Sequence, residues 1–140
     1  MFSRKLVLMT ACAAAISTTL LAQVPCSLDT ITGTYAVRAE GTILAGTQKV
    51  PTAGVELKLA SISPDGSVFM TGHRVVGGEV FSGESQGTVT VASDCTAVLR
   101  GAEGSVQLLI LENGEWINSV LLQSPLAPMT TSGVWKRISR

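Results

Sequence analysis

Apolar residues in this chain recur at every second position, and glycine-rich turn signals interrupt the pattern at short intervals. This period of two constrains the fold more than any other feature. Successive side chains of a strand point to opposite faces, whereas a helix needs apolar residues every three to four positions. Residues 33–39 place Tyr35, Val37 and Ala39 on one side. Residues 55–59 alternate most clearly: Val55, Leu57 and Leu59 are expected to face inward, and Glu56 and Lys58 to face water. Ser63-Pro64-Asp65-Gly66 is a strong turn signal, since proline presets one dihedral and glycine admits a positive φ. A return strand follows over 68–76, and Gly77-Gly78 turns into 79–83. Further strands are expected over 87–91, 95–100, 106–111, 116–122 and 134–138. Residues 106–111 are apolar on both faces, which predicts a central place in the sheet. Asn113-Gly114 is the strongest hairpin signal, and a loop carrying Pro125 and Pro128 precedes the last strand.

These eight or nine short strands, with no amphipathic helix among them, predict an all-β domain. Sequential strands joined by tight turns form an antiparallel meander. Its edges need protection, and closure removes them. The expected fold is therefore a single up-and-down antiparallel β-barrel, with a two-sheet β-sandwich as the alternative. The stretch 41–54 reads as the one long connection, a surface loop or a lid over a barrel mouth.

Residues 1–22 read as a secretory signal peptide, with Arg4 and Lys5 ahead of an apolar stretch that ends at Ala22. A transmembrane anchor fits less well, because Ser17, Thr18 and Thr19 interrupt the run and no basic cluster follows. Met9-Thr10-Ala11-Cys12 loosely resembles a lipidation site, but the apolar run before Cys12 is short. Residues 23–32 then form a loose leader and 33–140 the barrel domain. The expected destination is secreted or periplasmic. Two cysteines remain after cleavage, Cys26 and Cys95, and an even count in an exported chain points to a disulfide. Such a bridge closes a loop of about 70 residues, worth roughly 4 kcal/mol by chain entropy, and pins the leader to the domain.

Charged residues make up only 14% of the chain, and ten basic residues balance ten acidic ones. That leaves no positive excess to neutralise phosphates, so no nucleic-acid partner is expected. A single histidine, two paired thiols and no carboxylates at ligand spacing predict no metal site. No phosphate loop occurs, so no cofactor is expected. Gly83-Glu84-Ser85-Gln86-Gly87 matches the G-x-S-x-G serine-hydrolase pattern. That motif needs a strand-to-helix elbow, and here strands lie on both sides, so no catalytic residue is assigned. Arg38, Glu40, His73, Arg74 and Glu84 fall on neighbouring strands and are expected on the surface, where alternation places charge, with a polar spot inside an apolar lumen as the alternative. Trp116 and Trp135 are expected in the core or at a rim.

Gly33-Thr34-Tyr35, Asp65-Gly66-Ser67, Gly72, Gly87-Thr88-Val89-Thr90-Val91, Asp94-Cys95-Thr96 and Ser132-Gly133 before Arg137 occur in that order. The pattern resembles a set of short secreted bacterial proteins of unassigned activity, with calycin-like barrels similar to the allene oxide cyclase barrel. Ala97 stands where such proteins commonly carry glycine. The resemblance implies fold more than function, and it carries no catalytic residue over to this chain. The leading expectation is an exported barrel that binds a small apolar molecule. Tyr35, Val37, Val55, Leu57 and Leu59 are the candidate lumen residues. A cyclase-type enzyme and a surface-interaction module are the alternatives. After signal removal no membrane span is expected, and nothing in the pattern fixes an oligomeric state.

Overall fold

The structure, a computed structural model, describes residues 24–45, 50–102, 104–124 and 129–140. The signal segment, Cys12, and Pro125 and Pro128 lie outside them. Eight strands follow in order: β1 (Gly33–Ala45), β2 (Val50–Ile62), β3 (Ser67–Val76), β4 (Glu79–Val91), β5 (Thr96–Gly101), β6 (Gly104–Leu111), β7 (Trp116–Gln123) and β8 (Met129–Ser139). Each pairs antiparallel with the next, and β8 pairs with β1, so the sheet closes into an up-and-down barrel. Closure gives most strand edges a partner within the sheet itself.

The strands run longer than local alternation suggests. β1 and β2 pair in register from Gly33↔Ile62 to Ala45↔Val50, so most of 41–54 is ladder and not a connection. Gly41 and Gly54 face each other within that ladder. A Cβ on Gly41 would meet the Thr130 carbonyl oxygen at 1.9 Å. Gly41 therefore serves close strand approach, which local sequence cannot distinguish from a loop signal. Residues 79–91 likewise form one continuous strand.

The core fills one end of the barrel, here termed the base. Tyr35, Ala60, Ile62, Val68, Val89, Leu99, Leu108, Ile110, Ile117 and Trp135 are buried there, all on inward-facing positions. The expected central strand, β6, has no centre to occupy in a closed barrel. Its Leu108 and Ile110 are buried, while Leu109 and Leu111 face outward.

Residues 24–32 of the leader are pinned to the domain, as expected of the bridge. Helix α1 (Leu28–Ile31) starts where the Ser27 N–H donates to Thr30 Oγ1 at 3.0 Å, and its Ile31 is buried in the base. The disulfide Cys26–Cys95, with Cα atoms 4.9 Å apart, ties this plug to the turn before β5. Arg137 fastens it from the other side. Its Nη2 donates to the Thr30 carbonyl and, at 2.8 Å, to Tyr35 Oη. The Tyr35 hydroxyl in turn donates to the Gly114 carbonyl at 2.9 Å. One buried phenol thus joins β1, β8 and the turn after β6.

Wall height is uneven. β1, β2 and β4 have 13 residues each, and β5 has six. At about 3.3 Å per residue the wall falls from roughly 43 Å of strand to roughly 20 Å. The tall side rises above the core at the end opposite the base.

Candidate functional site

The register of β1 with β2 decides what lines the lumen. Tyr35 is opposite Ala60, Val37 opposite Lys58, and Ala39 opposite Glu56. Residues directly across a ladder share a face. Since Tyr35 and Val37 are buried inside, Ala60, Lys58 and Glu56 also point inward. Val55, Leu57 and Leu59 therefore point outward and are exposed, Leu57 by 59%. The expected inward parity of these three is corrected: only Tyr35 and Val37 of the five candidates face the interior. The apolar alternation of β2 marks its outer surface. The signal that could have shown this is Ile62, which has the opposite parity to Leu57 and pairs with Val68 across the turn.

The inward charges neutralise one another. Glu56 and Lys58 are two residues apart on one face, and Arg74 lies directly opposite Glu56 on β3. Lys58 Nζ approaches Glu56 Oε2 at 3.1 Å, and Arg74 Nε donates to Glu56 Oε1. Each carboxylate oxygen thus holds a different cation. The three side chains are 14 to 26% exposed, so they sit in the lumen wall and not in bulk water. The expected surface position of Arg74 is thereby corrected, since it pairs with inward-facing Glu56, whereas Arg38, Glu40, His73 and Glu84 are on the outside or its margin as expected. Arg38 Nη2 lies 3.7 Å from Glu40 Oε1 there.

A cavity of about 90 Å³ opens between this cluster and the core. Val37, Met70, Leu99, Val106, Leu121 and Trp135 give it an apolar floor and far wall. Glu56, Lys58 and Arg74 border it on the tall side, and Ser85, Ser119 and Thr131 add hydroxyls. A water needs roughly 10–15 Å³ on the same measure, so the space takes a compact guest and not a long chain. Trp135 Nε1 donates to Ser119 Oγ at 3.1 Å, which fixes the indole as part of the wall. The phenol of Tyr35 lies below, edge-on to Trp135 with ring centroids 6.2 Å apart. Trp116 is on the outer face, where Lys136 Nζ stands 5.1 Å from its ring.

The G-x-S-x-G serine forms no hydrolase geometry. Ser85 faces the cavity, opposite Met70, whereas His73 is on the other face of β3. His73 Nδ1 instead lies 2.8 Å from Ser82 Oγ. Among the described residues, no group of three or more His, Cys, Asp or Glu side chains could hold a metal ion. No described helix is long and apolar enough to cross a membrane.

Burial raises the pKa of Tyr35 above its usual 10.0, against the opposing pull of the Arg137 donors. Two exposed turn aspartates shift down. The Ser67 N–H stabilises the Asp65 carboxylate, and the Thr96 hydroxyl and N–H stabilise that of Asp94. These shifts belong to the plug and the turns, not to the cavity. The chain matches no protein-family model and no curated protein.

Proposed function

We propose that this chain is an exported barrel whose lumen holds one compact, mainly apolar molecule bearing a polar group. The observation that carries the reading is the cavity: an apolar floor around Trp135, with the Glu56–Lys58–Arg74 cluster along one side. Ligand sites commonly pair apolar walls with a few placed polar groups. The apolar part of the guest lies against Met70, Leu99 and Val106, and its polar group reaches the charged cluster. The signal-like first 22 residues and the Cys26–Cys95 disulfide support a secreted or periplasmic location. The outer face supports a barrel in water rather than in lipid. Leu57 has Arg38 and His73 as its lateral neighbours, so charge breaks the apolar row. The likeness to calycin-type barrels belongs to the same proposal.

The test is calorimetric titration of the mature protein with indole, a compact ring with one N–H. Binding at micromolar to millimolar concentration, lost when Val106→Phe fills the cavity, is the expected result. A folded wild-type protein that takes up no indole or other ring compound of this size overturns the reading.

A second reading has one specific observation in its favour. Glu56 places a carboxylate at the cavity wall, as a cyclase-type catalyst acting on a folded apolar substrate would need. The two readings separate on turnover: in the first a bound ring compound is recovered unchanged, and in the second an apolar substrate is converted and Glu56→Gln abolishes the conversion.

A further inference from the structure

The tall wall ends in an open edge. β4 pairs with β3 along its whole length, from Val76↔Glu79 to Ser67↔Thr88. On its other side it meets β5 only from Gly87 onward. Among the described residues, 79–86 have no strand partner on that side. Glu79 to Glu84 are exposed along the run, and Val80 and Phe81 are exposed by 66% and 51%. Unpaired N–H and C=O groups on such an edge are a template for another strand. The segment carries no proline and no lysine, and its pairing with β3 contains no bulge.

We propose that this edge pairs antiparallel with the same edge of a second copy, forming a two-fold dimer with one sheet running through both barrels. The argument for a second copy is the self-complementarity of the segment: Phe81 and Gly83 lie symmetrically about Ser82, a bulky position and a bare one. A two-fold axis normal to the sheet keeps outer face beside outer face, so paired positions must share parity. Overlap of residues 79–85 meets that condition with Ser82 on the axis. Phe81 then lies opposite Gly83 of the other copy. Gly83 is a position where an added Cβ would meet nothing within 4 Å, so the ring has open space to cover. Val80 falls opposite Glu84, and Glu79 opposite Ser85. No like charges are directly opposed, which would have been destabilising. The overlap ends at Ser85, two residues before β5 takes up the ladder at Gly87. The exposed outer row Val55–Val75–Val80 runs up to this seam, so the apolar surface at the edge is continuous with the interface.

The test combines mass in solution with register. Sedimentation of the mature protein at tens of micromolar is expected to give a dimer. Ser82→Cys is expected to cross-link across the axis under oxidising conditions, since directly opposed Cα atoms lie about 4.5–5.5 Å apart. Glu84→Cys is expected not to, because its counterpart sits four residues along, about 13 Å away. Ser82→Lys and Ser82→Glu are each expected to be monomeric and to associate when mixed. A wild-type monomer overturns the proposal, including a monomer that instead takes up an extended foreign peptide. A dimer that cross-links at 84 and not at 82 overturns it as well.

Discussion

At the scale of single residues, the base of the barrel turns on one hydroxyl. Tyr35 Oη accepts from Arg137 Nε at 3.2 Å and Nη2 at 2.8 Å, and donates to the Gly114 carbonyl. Tyr35→Phe keeps the ring but strips a buried guanidinium and a carbonyl of their partner. It is expected to cost about 1–3 kcal/mol in urea unfolding at pH 7. The same phenol sets an alkaline limit. Its pKa is raised in the folded state, so the folded protein binds more protons than the unfolded chain above pH 10. That contribution is complete below about pH 10 and is lost as pH rises through the folded value. Stability is therefore expected to fall steeply above pH 10, and Tyr35→Phe to flatten the fall. Gly114 belongs to the same cluster. It has φ +84°, and a Cβ there would lie 2.0 Å from the Thr30 carbonyl oxygen. Gly114→Ala is expected to cost about 2 kcal/mol or more, read from the same unfolding curves. Asn113-Gly114 was legible as a turn. Its hold on α1 was not, because the contact joins residues more than 80 positions apart in the chain.

Among the elements, β2 shows most clearly what a sequence can and cannot tell. Its period of two was legible, but its phase was not. Alternation alone states that Leu57 and Lys58 face opposite ways, not which of them faces in. Register against β1 supplies the phase, and that is a long-range fact. Glu56 and Lys58 therefore face the lumen, where Glu56 meets Arg74 of β3. Substitutions give this a sharp test. Leu57→Asp is expected to change stability by no more than about 0.5 kcal/mol, whereas Ala60→Asp, at a fully buried position, is expected to prevent folding. Equal effects in denaturant melts would mean the phase is wrong. The turns were legible and carry their own prediction. The folded-state pKa of Asp94 is depressed, so its contribution is present above the unfolded value of 3.8 and lost as pH falls through the folded one. Asp94→Ala is expected to lower the melting temperature at pH 7, and by progressively less as pH falls below 3.8.

For the whole molecule, closure was legible from strand count and turn spacing, since a long meander leaves edges that a barrel removes. The disulfide pair was legible from cysteine number alone. Uneven wall height was only half legible: turns bound the short β5 as expected, but the full lengths of β1, β2 and β4 were hidden, because their ladders run on through residues that read locally as turns or loop. That unevenness leaves the cavity bordered by charge on the tall side and apolar on the floor. The central claim is that Glu56 and Lys58 of β2 face the lumen, where the proposed guest would sit, while Val55, Leu57 and Leu59 face water. Methyl-detected NMR during an indole titration tests it most directly. The account predicts that the Val37, Met70, Leu99, Val106 and Leu121 methyls shift together while those of Val55, Leu57 and Leu59 stay still. Shifts concentrated on Val55, Leu57 and Leu59, with the interior methyls unmoved, would contradict it.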